Sequence, residues 1–135
     1  LFGGCIEVLD RMQPTPFWPQ THSFDGKILF LETSEHKPDV SRIEHMLRNY
    51  GACGVFDRIN GLVFGRARDF SDEQKDEMEQ SILSVVSGEF GRSDMPIIAN
   101  VDFGHTDPQL VLPVGVQAEI DPENKEFNLI ESWLA

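Results

Sequence analysis

The chain has 135 residues, 40% of them apolar, which suits a single domain with one ordinary core. Its 23 acidic and 11 basic residues leave a formal charge of −12, a surface that repels DNA and RNA and excludes nucleic acid as a partner. No apolar run approaches the roughly 20 residues that span a bilayer, so no membrane segment is expected.

The chain opens Leu-Phe-Gly-Gly-Cys-Ile, without Met or a basic-then-apolar leader, and reads as part of something longer. Gly3 and Gly4 precede Ile6, Leu9 and Met12 at helical spacing, which predicts a short helix over Gly4 to Arg11. Pro14, Pro16 and Pro19 then enforce a non-helical connection, in which Trp18 is expected to pack. In Lys27-Ile28-Leu29-Phe30-Leu31-Glu32, four consecutive apolar residues predict a strand covered on both faces, as in a parallel sheet. Ser41-Arg42-Ile43-Glu44 has capping-box spacing, with Pro38 and Asp39 as an earlier possible start. Val40, Ile43, Leu47 and Tyr50 share one face of that helix, and Gly51 marks its end.

Ile59 to Gly65 predicts a second buried strand. Ser71-Asp72-Glu73-Gln74 predicts another capped helix, with Met78, Ile82, Val85 and Val86 inward. Pro96 to Val101 is the third buried strand. Beyond Pro108, Leu110 to Leu112, Val114 to Ile120 and Phe127 to Ile130 read as short strands, with a turn at Asp121-Pro122-Glu123-Asn124. The order predicts an α/β domain with a mostly parallel sheet and antiparallel strands near the carboxyl terminus.

Ligands of a parallel α/β sheet bind beyond the carboxyl ends of its strands. Glu32 closes the first buried strand and His105 follows the third, so both belong to one edge. A carboxylate there can hold the imidazole in one tautomer and stabilise its protonated form, leaving the ring to act as general base and then acid. Taken singly, each has an ordinary structural reading: a solvated strand terminus for Glu32, a turn residue for His105. No Gly-x-Ser-x-Gly elbow supplies a nucleophile. Ser41 and Ser71 are assigned to helix caps, and Cys53 to packing.

Glu32, Asp102, His105 and Asp107 form a possible oxygen and nitrogen ligand set. With no His-x-x-x-His or His-Glu-x-x-His pair, no metal is expected, and Asp102 is read as a cap for the turn that presents His105. His22, His36 and His45 are read as surface or packing residues. Cys5 and Cys53 are expected to stay reduced, as in a cytoplasmic protein.

Several segments together resemble the serine LD-carboxypeptidase family, which includes the microcin C immunity proteins. They are Gly3-Gly4 with Leu9, Gly26 to Glu32, Ile59 to Gly65, Pro96 to Thr106 and Leu112 to Val116. The resemblance covers nearly the whole chain, and Leu-Phe-Leu-Glu with Asp-Phe-Gly-His-Thr is its most specific part. It implies that residues 1–135 are the carboxyl-terminal domain, a compact swivelling-type β/β/α unit, of a two-domain cytoplasmic hydrolase that is usually a homodimer. The nucleophilic serine would lie in the amino-terminal domain, the chain's main partner, with Glu32 and His105 completing the triad. No metal or organic cofactor is implied.

The implied substrate is a small peptide or an aminoacyl-nucleotide, since murein-recycling members cut an L-to-D amide and immunity members an acyl-sulfamate or acyl-phosphoramidate. The Asn-Val-Asp-Phe-Gly-His-Thr stretch looks nearer to the immunity branch. One departure is Cys5, where family members often carry Asn. A non-catalytic binding or regulatory α/β domain is the alternative.

Overall fold

The computed structural model describes residues 1–133. In chain order it contains β1 (Phe2–Cys5), α1 (Ile6–Met12), a 3-10 turn (Thr21–Phe24), β2 (Ile28–Glu32), α2 (Val40–Ala52), β3 (Gly61–Gly65) and α3 (Asp72–Leu83). A π-helical turn (Ser84–Glu89), β4 (Ile97–Val101), β5 (Ala118–Asp121) and β6 (Glu126–Leu129) complete it.

Strands β1 to β4 form one parallel sheet in chain order, and β5 and β6 pair antiparallel in a separate sheet. This is the expected mixed α/β architecture, and its layers follow from alternation within the apolar strands. Leu29, Leu31, Leu62 and Phe64 face the helices and pack with Ile43, Leu47, Met78 and Ile82. Phe30 and Val63 face the other way, where Phe103 and the partly buried Ile120, Phe127 and Leu129 of the hairpin cover them. Both faces are dry, which is why these strands read as unbroken hydrophobic runs. Trp18 packs as expected, its ring 5.6 Å from Phe24 and 5.7 Å from Tyr50.

Four local expectations are corrected. The predicted first helix begins at Ile6, and the residues before it are a strand: Phe2 pairs with Leu29 and Cys5 with Glu32. Gly3 suits this edge because a Cβ there would run into the carbonyl oxygen of Phe30. Ser41 is not a cap. Helix α2 starts at Val40 with Asp39 in the cap position, so that the buried Val40 joins the core from the first turn. Leu110 to Leu112 form no strand; Leu110 and Val111 are exposed, and a strand needs a hydrogen-bonding neighbour. The expected strand from Val114 shrinks to Ala118–Asp121, the part that meets β6.

The second capping box is present. Ser71 Oγ accepts from the Gln74 amide, and the Gln74 side chain accepts from the Ser71 amide. Ser71→Ala is expected to destabilise the fold by about 1 kcal/mol. Urea unfolding checks this, with the midpoint falling at an unchanged slope.

Candidate active site

Because β1 to β4 are all parallel, the loops leaving their carboxyl ends gather at one edge of the sheet. Cys5 ends β1 there and Glu7 follows it, with Thr33 to His36 after β2, Arg66 after β3 and Asp102 to Asp107 after β4. Glu32 and His105 meet at this edge. Glu32 Oε2 accepts twice from His105, from the ring Nδ1 at 2.8 Å and from the backbone N–H at 3.0 Å. The carboxylate is buried, whereas the ring is 43% exposed, so the acid is fixed by the protein and the imidazole opens to the cavity.

The turn that presents His105 needs Gly104. Its φ is +85°, and a Cβ there would lie 2.7 Å from Glu32 Cβ. Arg66 holds the same turn from β3, donating from Nε to Asp102 Oδ1 at 2.7 Å and from Nη2 to the Asp107 carbonyl at 3.2 Å. The Asp102 carboxylate therefore pairs with Arg66 rather than capping the turn, and its own carbonyl accepts from Leu110 N–H at 2.6 Å. Glu32, Asp102, His105 and Asp107 do not converge as ligands; among the described residues no group of three or more His, Cys, Asp or Glu stands together as a metal site.

Two carboxylates at this edge escaped the sequence reading. Glu35 Oε2 faces His105 Nε2 at 3.2 Å. Glu7, buried at the start of α1, accepts from the Ser34 amide and hydroxyl and from Cys5 Sγ, which secures the loop after β2. Glu35 was findable, since the rule that singles out Glu32 extends to the loop that follows it. Glu7 gave no signal, because β1 itself was unread.

The hydrogen bond to Glu32 raises the His105 pKa above its ordinary 6.5, with the Glu32, Glu35 and Glu7 charges adding to it against a smaller effect of burial. A pKa raised by folding means that protonated His105 contributes stability fully below the unfolded-state value of about 6.5; that contribution fades as pH climbs through the folded-state value. Proton NMR titration of the ring is expected to give a midpoint above 6.5 that falls in Glu32→Gln. A wild-type midpoint at or below 6.5 would contradict the geometry.

With a carboxylate at each ring nitrogen, the imidazolium is favoured. Action as a base at Nε2 requires the half-exposed Glu35 to move aside. No thiolate nucleophile is offered by Cys5: burial, foremost, pushes its thiol up to about 11. Ser34 donates its hydroxyl to Glu7 at 2.6 Å. Cys5 and Cys53 are free thiols. A cavity of about 320 Å³ opens beside His105, lined in part by Cys5, Glu7, Glu35 and His36. No helix among the described residues is long and apolar enough to cross a membrane.

Comparison with known proteins matches residues 1–120 to the family model described as the LD-carboxypeptidase C-terminal domain. The microcin C7 self-immunity protein MccF of Escherichia coli is 26% identical over 135 residues, 100% of this chain and 37% of that protein. A solved MccF-like protein from Streptococcus pneumoniae, in complex with AMP, is 29% identical with a TM-score of 0.76, covering 96% of this chain and 40% of that one. The muramoyltetrapeptide carboxypeptidase of Oxalobacter formigenes is also 29% identical, with a TM-score of 0.66 and coverage of 87% and 39%. The chain spans 34–38% of the length of six curated relatives that it matches. With the family model covering most of its length, this chain belongs to the LD-carboxypeptidase C-terminal domain family.

Proposed function

We propose that Glu32 and His105 are the acid and imidazole of a Ser-Glu-His hydrolase whose serine is supplied by a part of the full-length protein outside these residues. The observation that carries this reading is the buried Glu32 carboxylate bonded to Nδ1 of a partly exposed ring that lines a cavity, its other nitrogen facing only the half-exposed Glu35. In that arrangement Nδ1 keeps its proton, and Nε2 takes the serine proton once Glu35 withdraws. The serine oxygen bonds to the acyl carbon, and the C–N bond breaks as Nε2–H protonates the leaving nitrogen. Water, deprotonated by the same nitrogen, then splits the ester and restores the serine.

The linkage is an amide or its acyl-sulfamate or acyl-phosphoramidate counterpart. Fold similarity favours the acyl-nucleotide type. A solved MccF in complex with glutamyl sulfamoyl guanosine has a TM-score of 0.80 over 99% of the chain, against 0.66 over 87% for the muramoyltetrapeptide carboxypeptidase.

The test is hydrolysis by the full-length protein of an aminoacyl-sulfamoyl nucleotide and of a muropeptide, compared with the variant His105→Ala. Loss of turnover on the order of a millionfold is expected on the preferred substrate, and none is expected from the 135 residues alone. Undiminished turnover in His105→Ala would instead make this a binding or regulatory domain.

A further inference from the structure

The turn that carries His105 stands between two open hollows. One, of about 320 Å³, lies toward the loops after β1 and β2; the other, of about 780 Å³, lies toward Arg66, Arg68 and Gln109. His105 is in the wall of both. Asp107, Pro108 and Gln109 are exposed, so side-chain packing holds the turn only through the buried Phe103 and Thr106. Glu32 anchors it at a single atom, since the ring Nδ1 and the backbone N–H of His105 both reach Oε2. Bonds that meet at one atom leave the turn free to rock about it, and with it the direction of Nε2.

Arg66 removes that freedom. It is the first residue after β3, and its backbone N–H donates to the Val101 carbonyl at 2.8 Å, which ties it to the end of β4. Its side chain then clasps both ends of the turn, with Nε on Asp102 Oδ1 at 2.7 Å, Nη2 on the Asp107 carbonyl at 3.2 Å, and His105 between these acceptors. A guanidinium presents such donors in one rigid plane, whereas an ammonium is a point charge without fixed direction. The protonation of His105 is governed elsewhere, by its bond to Glu32 and the charges of Glu32, Glu35 and Glu7. Arg66, its charge matched by Asp102, bears instead on where the ring points. The pair is partly exposed, 29% at Arg66 and 45% at Asp102, a setting in which an ion pair adds little to global stability.

We propose that Arg66 is a positioning residue of the reaction, one that acts through His105 by clasping both ends of its turn so that Nε2 is aimed at the serine and the leaving nitrogen. The inference rests on the hydrolase reading of Glu32 and His105. It adds to that reading a residue that takes no part in the proton transfers and works on their geometry alone. The leverage is large, because a misplacement of about 1 Å at a reacting atom costs on the order of a hundredfold in rate.

The test is steady-state turnover by the full-length protein, counted per folded molecule, with urea unfolding and ring NMR titration of the same variants. Arg66→Met is expected to lower kcat about 10- to 100-fold with little change in KM, at a urea midpoint close to that of the wild type. Arg66→Lys, which can pair with Asp102 but cannot hold both acceptors, is expected to fall between the two. Arg66→Met/Asp102→Asn is expected to lose no more than Arg66→Met, because the clasp is already open. The His105 midpoint is expected to stay above 6.5 in Arg66→Met, since Glu32 remains in place. A kcat within about twofold of the wild type in Arg66→Met, a loss confined to KM, or losses that multiply in the double variant would overturn the proposal. So would a His105 midpoint at or below 6.5 in Arg66→Met, which would make the effect one of charge. If Arg66→Met does not fold, Arg66→Lys decides: a several-fold loss of kcat supports the clasp, and a wild-type kcat overturns it. Turnover that survives His105→Ala would fell the hydrolase reading and this one with it. A normal kcat in Arg66→Met beside an inactive His105→Ala would fell this one alone.

Discussion

Glu32→Gln in the full-length protein is expected to lower kcat roughly 10⁴-fold with little change in KM. Glu32 Oε2 receives two donors from one residue, the ring Nδ1–H and the backbone N–H of His105. Glutamine keeps an oxygen in nearly the same place, so the turn stays attached and the fold survives. What disappears is the buried negative charge, and with it the stabilisation of the imidazolium that forms when Nε2 takes a proton. The amide also presents a donor as readily as an acceptor, so the ring is no longer held in one tautomer. The loss therefore falls on the chemical step, which a kcat-against-KM comparison reads directly. Because the free ring of the variant loses the partner that raises its pKa, the rising limb of the pH–rate profile is expected to move to lower pH. A loss of less than tenfold, or an unmoved limb, would remove Glu32 from the mechanism.

Gly104→Ala is the second large effect, and it acts on the same pair from the backbone. A residue with a Cβ at φ +85° carries roughly 1–2 kcal/mol of conformational strain. The new methyl group would also lie 2.7 Å from Glu32 Cβ, closer than carbon atoms pack, and Glu32 is buried with little room to withdraw. Overpacking of this kind costs typically 1–3 kcal/mol more. The sum, about 2–5 kcal/mol, is a large share of the stability of a small domain. A matching fall in the urea midpoint at an unchanged slope is expected, together with a lower His105 titration midpoint as the turn is pushed off Glu32. An alanine variant with wild-type stability and titration would show that this turn adapts without strain.

These two variants separate chemistry from architecture. Glutamine at 32 removes charge and keeps shape; alanine at 104 keeps charge and disturbs shape. If the first silences turnover while leaving the unfolding curve in place, the buried carboxylate acts on the imidazole and not only on the fold.

The local sequence by itself determined the parts of this protein whose physical cause is local or periodic. Leu29 to Leu31 and Leu62 to Phe64 are unbroken apolar runs because helices cover one face of the sheet and the hairpin the other. The Ser71 and Gln74 box is visible because its partners lie three residues apart. Glu32 and His105 could be placed at one edge because parallel strands send their following loops the same way.

The tertiary structure alone decided the rest, wherever a residue's partner is distant in the chain. Phe2–Cys5 is a strand only because β2 stands beside it, and Leu110 to Leu112 is not one because no strand does. Asp102 turns to Arg66 and Glu7 to Ser34, across separations that no local pattern encodes. Hydrophobic periodicity specifies which face of an element is buried, but the choice of charged partner is settled only when those faces have packed.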